Sequence, residues 1–213
     1  MPCRHFSEVS GPEALLDHHQ SLSNYAFVMP RTKTYLTASE YAVLGLLRQR
    51  PAYGYELQRR FTGGRDLARV CPVEPAMVYA ILKSLSGLEL IDGEWDRSAY
   101  PPRAVYAATA EGDAEFQRWL RRPVARMREV RLDFLVKLYF ALEEDAALAG
   151  ELLTDQIEAC RNYGEDIETE LTQVEPGSFD AIALSSKASA ARITREWLLQ
   201  CRKDIEGKTR DGS

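Results

Sequence analysis

The stretch EPAMVYAILKSLSGL, residues 74–88, decides the fold of this 213-residue chain. Glu74-Pro75 marks a helix start, because proline suits the first helical turn, where its missing N–H is not needed. Val78, Ile81, Leu82, Leu85 and Leu88 then recur every three or four residues and form one buried stripe. The opposite face holds Ala76, Tyr79, Ala80, Lys83, Ser84 and Gly87: mostly small residues, with one aromatic ring, one cation and no carboxylate.

Working outward, Thr37-Ala38-Ser39-Glu40 is a capping box that opens an earlier helix. Val43, Leu44 and Leu47 give that helix its apolar face, and Pro51 stops it. Gly54 begins a second, short helix over residues 55–61, which Gly63-Gly64 ends. Beyond the quoted helix, residues 90–95 and 103–108 read as two strands of a hairpin. Residues 96–102 form its loop, with Arg97 and two prolines at the tip. Thr109 caps a helix over 110–120 that ends near Arg121-Arg122-Pro123. Three helices followed by a two-stranded hairpin is the order of a winged helix–turn–helix.

From Met127 the pattern changes. Leu132, Phe134, Leu135, Val136, Leu138, Tyr139, Phe140 and Leu142 predict a helix that is apolar nearly all round, interrupted by Lys137. Such a helix needs burial on several sides. Asp145 caps the next helix, in which Leu148, Leu152, Gln156, Cys160, Tyr163, Ile167, Leu171 and Val174 recur in a coiled-coil-like seam. Pro176-Gly177 breaks it, and a last helix begins near Phe179 with Ile182, Ile193, Trp197, Leu198, Cys201 and Ile205.

The predicted fold class is mainly α with a small β-hairpin wing: a winged helix–turn–helix followed by a helical dimerisation domain. The expected organisation is an N-terminal arm over 1–30, a winged domain over 31–122, a helical domain over 123–207 and a frayed tail over 208–213. Leu132, Leu135, Leu152, Tyr163, Ile167, Leu171, Ile193 and Trp197 are the expected dimerisation residues, because one neighbour cannot cover so much apolar helix surface. Self-satisfied packing of the helices within one chain is the alternative.

The net charge of -5 hides an asymmetry. Residues 31–128 carry sixteen basic and eleven acidic side chains, whereas residues 129–213 carry ten and eighteen. A phosphate backbone is drawn to the first segment and repelled by the second. No apolar run reaches the roughly 18–20 residues of a membrane span, so no membrane partner is expected. A basic start followed by an apolar core, as in a secretory signal, is missing too. Cys3, Cys71, Cys160 and Cys201 lie far apart with no C-x-x-C pair, which excludes a disulfide scaffold or zinc ribbon and fits a reducing cytoplasm. His5, His18 and His19 lack ligand spacing, so neither a metal nor a cofactor is expected. With no Gly-rich phosphate loop, nucleophile elbow or triad, the chain does not read as an enzyme.

Several motifs resemble the PadR family of transcriptional regulators, in the right order over residues 36–205. They are Leu44-Gly45-Leu46-Leu47, then Pro51-Ala52-Tyr53-Gly54-Tyr55-Glu56-Leu57, and Val78-Tyr79-Ala80-Ile81-Leu82-Lys83-Ser84-Leu85. Leu88 to Ile91, the run from Val105 to Gly112 and the run from Phe134 to Phe140 complete the set. The chain departs from many relatives at Ala76-Met77-Val78, where those have a Gly and a Ser or Thr. The resemblance implies a sequence-specific DNA-binding regulator, a repressor by family default, and in many members a small hydrophobic or aromatic effector.

A groove-facing helix needs small residues near its tip, which Ala76 and Ala80 provide. Tyr79 can meet a phosphate or a thymine methyl, and Lys83 a phosphate. Tyr53 and Tyr55 stand at the start of the second helix, where free amides favour phosphate. Arg97 and Arg103 in the hairpin are candidate backbone contacts, as are Arg31 and Lys33 before the first helix. A homodimer on double-stranded DNA demands half-sites about 34–36 Å apart, or a multiple, hence a pseudo-palindromic operator. Phe116, Trp119, Tyr139, Phe140 and Trp197 are candidate effector-lining residues, with ordinary core packing the alternative. Two rival readings are a redox-sensing regulator through Cys71 and a winged protein-interaction module without DNA binding.

Overall fold

The computed structural model describes residues 36–211 apart from residues 63, 65 and 99. The N-terminal arm with its three histidines, Arg31, Lys33 and the Gly63 helix stop lie outside the described residues.

Helix α1 (Ala38–Gln49) opens with the expected box. The Glu40 amide donates to Thr37 Oγ1 at 3.3 Å, and the Thr37 amide donates to the Glu40 carboxylate at 2.8 Å. Burial goes beyond the expected face: Ala42, Val43, Leu44 and Leu47 are almost wholly enclosed, because other elements surround α1. Gly45 lets α1 approach closely, since a Cβ there would stand 2.5 Å from the Phe140 ring and 2.7 Å from the Phe116 ring.

A two-residue strand, β1 (Ala52–Tyr53), leads into α2 (Gly54–Phe61). The short helix α3 (Leu67–Val70) precedes the quoted stretch, which forms α4 (Pro75–Gly87). Pro75 occupies its first turn, and Val78, Ile81, Leu82 and Leu85 are buried as the spacing predicts. The hairpin consists of β2 (Ile91–Asp96) and β3 (Arg103–Ala108). It belongs to a three-stranded antiparallel sheet of order β1-β3-β2, with Ala52 opposite Tyr106 and Ile91 opposite Ala108. Neither β1 nor α3 is anticipated from sequence: two residues are too few for a period-2 signal, and four too few for a helical one.

Thr109 caps α5 (Ala110–Leu120), accepting from the Gly112 amide at 3.0 Å and donating to Glu89 O at 2.9 Å. A single helical turn, α6 (Met127–Glu129), runs through a wider π-helical segment over Val130–Phe134 into α7 (Leu135–Glu144). This region accounts for the nearly all-round apolar pattern. Val136, Leu138, Phe140 and Ala141 are buried because α7 packs against α1, α3, α5 and α8 (Ala146–Leu171). Asp145 caps α8, its carboxylate accepting from Ala147 N at 2.9 Å. Gly177, with a φ of +84°, turns the chain into α9 (Phe179–Asp211), which folds back along α8. Among the described residues no helix is long and apolar enough to cross a membrane.

Arg48 ties three of these helices together. Its guanidinium donates to the carboxylates of Asp113 on α5 and Glu144 at the end of α7, and lies over the Phe116 ring.

Candidate nucleic-acid interface

Helix α4 keeps one face in the core and turns the other to solvent. Ala76, Met77, Tyr79, Ala80 and Lys83 are all exposed, and that face carries no carboxylate. It is seated against α2 by two contacts. Gln58 donates to Pro75 O at 3.1 Å, holding the first turn of α4 in place. The Tyr79 ring lies over Gly54, where only a hydrogen leaves room for it: a Cβ would stand 2.6 Å from Tyr79 Cε1. Tyr79 itself remains half exposed, so the ring is propped rather than buried.

Beside α4, the start of α2 and the hairpin form a second cluster. The Tyr53 and Tyr55 rings stack at 5.4 Å. The guanidiniums of Arg103 and Arg59 lie over the Tyr55 ring at 5.1 and 5.6 Å. Tyr53 donates its hydroxyl to Asp96 Oδ2 at 2.6 Å, which raises its phenol above the ordinary range and joins α2 to the hairpin. Asp96 also accepts from the amide and hydroxyl of Ser98. Tyr53, Tyr55 and Arg103 thus converge. Arg97, exposed at the hairpin tip, is recorded in neither stack. Glu56 accepts from the Tyr53 amide at 3.0 Å, setting a carboxylate at the helix start where the sequence suggests free amides. Arg59 lies one helical turn after Tyr55, a spacing that could have paired the two from sequence, although the sequence reading does not name it. Trp95 and Tyr100 leave the hairpin strongly exposed.

The candidate effector residues divide. Phe116, Trp119, Tyr139 and Phe140 meet in one aromatic cluster. Phe116 and Phe140 are edge to face at 5.1 Å, and Trp119 stacks on Tyr41 at 4.2 Å. Phe116 and Phe140 are fully enclosed. Arg60 donates to the Tyr139 hydroxyl. Trp197 stands apart, edge-on to Phe134 at 6.1 Å. A cavity of about 440 Å³ lies elsewhere, between α8 and α9, lined by Gly150, Glu151, Thr154, Arg202 and Glu206 among others.

The candidate dimerisation residues divide as well. Leu152 and Ile167 are buried within one chain, while Leu135, Tyr163 and Leu171 are half-buried. Leu132, Ile193 and Trp197 remain exposed, joined on α9 by Phe179 and Ile182. Cys71 is buried, which pushes its thiol up and leaves little thiolate at neutral pH. No group of His, Cys, Asp and Glu among the described residues could hold a metal ion.

Residues 43–118 match the Transcriptional regulator PadR-like family. The chain is 26% identical over 147 residues to the "Negative transcriptional regulator PadR" of Bacillus subtilis, covering 67% of this chain and 80% of that protein. Among solved structures, Bacillus subtilis PadR in complex with operator DNA is 23% identical, covers 79% of this chain and 99% of its own, and has a TM-score of 0.39. The same protein with p-coumaric acid is 22% identical over 80% of this chain and 99% of its own, at a TM-score of 0.38.

Proposed function

We propose that this chain, whose residues 43–118 match the PadR-like family of transcriptional regulators, binds double-stranded DNA as a homodimer and represses transcription from a pseudo-palindromic operator. The observation that carries this reading is the outer face of α4: exposed, small at Ala76 and Ala80, cationic at Lys83 and contributing no carboxylate of its own, the Glu40 carboxylate of α1 meeting it only at Ser84. A major groove admits such a helix, and small residues let it approach base edges. Met77 and Tyr79 supply apolar surface for thymine methyls, and Lys83 pairs with a phosphate. Arg59 and Arg103, braced on Tyr55, offer two guanidiniums to the flanking backbone. Trp95, Arg97 and Tyr100 extend along the duplex from the hairpin.

Association of two copies through α9 and the π-helical segment suits the exposed Phe179, Ile182, Ile193, Trp197 and Leu132. The resemblance also brings a small hydrophobic or aromatic effector. Because Phe116 and Phe140 are already packed on each other, an effector reaching them would have to part α5 from α7, and would act by favouring that opened state. A redox role for Cys71 is disfavoured by its burial and raised thiol, and the exposed cationic face of α4 favours DNA over a protein-only partner. The reading places the protein in the cytoplasm.

Selection of bound sequences from genomic fragments tests it. Recovered sites should be two-fold symmetric, and affinity should fall steeply between about 50 and 200 mM salt as counterions are released. Failure to retain any fragment at low salt would reject DNA binding, and asymmetric sites would reject the dimer.

A further inference from the structure

We infer that Lys137 and Gln156 are positioning residues that grip the connection between α5 and α6 and fix how the helical part of the chain carries the winged helices. The inference rests on the DNA-binding dimer proposed above.

The connection, residues 121–126, has no regular secondary structure, and Pro123 lacks an amide to donate. Two buried side chains from two different helices hold it. Gln156 on α8 is wholly enclosed; its Oε1 accepts from Val124 N at 2.6 Å, and its Nε2 donates to Val124 O at 3.0 Å. The side-chain amide thus pairs with one backbone residue in both directions, as a neighbouring strand would. Lys137 on α7 is 3% exposed, donates to Trp119 O at 2.6 Å and to Arg122 O, and sets its ammonium 4.8 Å from the Trp119 ring centre. Its donors meet carbonyls at the end of α5, where the helix dipole favours a cation, the Trp119 carbonyl accepting from the Arg122 amide as well.

These are the two buried polar or charged side chains among the described core residues. An apolar side chain would avoid the desolvation cost of an ammonium there. What an apolar residue could not do is specify where 119–124 sits. The grip passes onward by contact. Trp119 stacks on Tyr41 of α1, Tyr41 donates to Glu115 of α5 at 2.8 Å, and α1 packs directly on α4. The orientation of α4 relative to α8 and α9 therefore passes through this clamp. In a dimer joined by α9, the clamp sets the interval between the two copies of α4 and thus the half-site spacing that is accepted.

The test uses the full chain and duplexes selected by the wild-type protein from a random-sequence 40-bp pool. One set carries the selected palindrome with its halves moved apart in single base-pair steps; another carries one half-site. Wild type should lose at least about tenfold in affinity when the spacing is wrong. Lys137→Met and Gln156→Leu should keep half-site affinity within about twofold while flattening the spacing preference at least about threefold. An unchanged spacing profile overturns the inference. So does a proportional loss on half-site and palindrome, which is what a merely structural defect produces. Should either variant fail to fold, amide exchange in the wild-type chain decides: the Val124 amide should exchange as slowly as the amides of α7, and exchange at surface-loop rates overturns the clamp. A wild-type chain that binds no duplex at low salt defeats the DNA reading and this inference together.

Discussion

The ring of Tyr79 rests on the α-carbon of Gly54, close enough that a Cβ at position 54 would stand 2.6 Å from its Cε1. The single aromatic of α4 is therefore aimed by a residue of α2. In Gly54→Ala the ring must swing away, and it can do so because it is half exposed. Stability should change by less than about 1 kcal/mol, while affinity for a selected operator falls by ~1 kcal/mol or more, approaching the loss in Tyr79→Ala. Unaltered operator affinity in both variants would remove Tyr79 from the interface.

Gly112 presents the opposite case. A Cβ there would lie 2.0 Å from Leu90 O, and backbone cannot step aside as a ring can. Gly112→Ala should cost about 2–4 kcal/mol by separating α5 from the start of the hairpin. Chemical denaturation measures it, and a loss below about 1 kcal/mol contradicts the close approach.

Burial pushes the Lys137 ammonium down to about 8; Asp133 nearby opposes this and Arg122 adds to it. An unfolded lysine keeps its proton to about pH 10.4. Between these values the unfolded chain binds the extra proton, so this group's contribution to stability rises with pH. The stability of wild type minus that of Lys137→Met should therefore increase between about pH 7 and 10, by on the order of 2 kcal/mol at most. A difference that stays flat, or shrinks, over that interval contradicts the buried ammonium.

Phe179, Ile182, Ile193 and Trp197 leave much of one long helix uncovered. Ile193→Glu together with Trp197→Ser should turn a dimer into a monomer in sedimentation with little change in helix content, since both side chains are exposed within one chain. Persistence of the dimer would direct attention to another face.

Cys71 should react slowly. Its raised thiol and enclosure by the core predict alkylation at least about tenfold slower in the native chain than in denaturant at the same pH. Operator binding that is lost under mild peroxide in wild type but kept in Cys71→Ser would revive the redox reading.

Much of the winged region is legible in the sequence because its signals are local. The Thr37 and Thr109 caps, Pro75 and the stripe of Val78, Ile81, Leu82 and Leu85 each act within a few residues of their own position, and the structure has them as expected. What stays hidden depends on distant partners. Lys137 interrupts an apolar run and reads as a break, yet it is buried because the end of α5 supplies carbonyls to it. Arg103 is set over the ring of Tyr55, 48 positions away, which no local spacing reveals. Phe116 and Phe140, legible as aromatic, are enclosed by each other's elements, and no spacing along the chain separates that from a lining role. Ile167 and Ile193 carry the same apolar signal, but only the folded chain tells that the first is buried and the second exposed.

The order β1-β3-β2 leaves β2 as an outer edge of the sheet. Asp92, Glu94 and Asp96 alternate along it and share one face. Two such rims brought side by side would meet with like charge facing like charge, which discourages strand-to-strand zippering between molecules. The wing thereby resists pairing edge to edge with another copy even in a crowded solution.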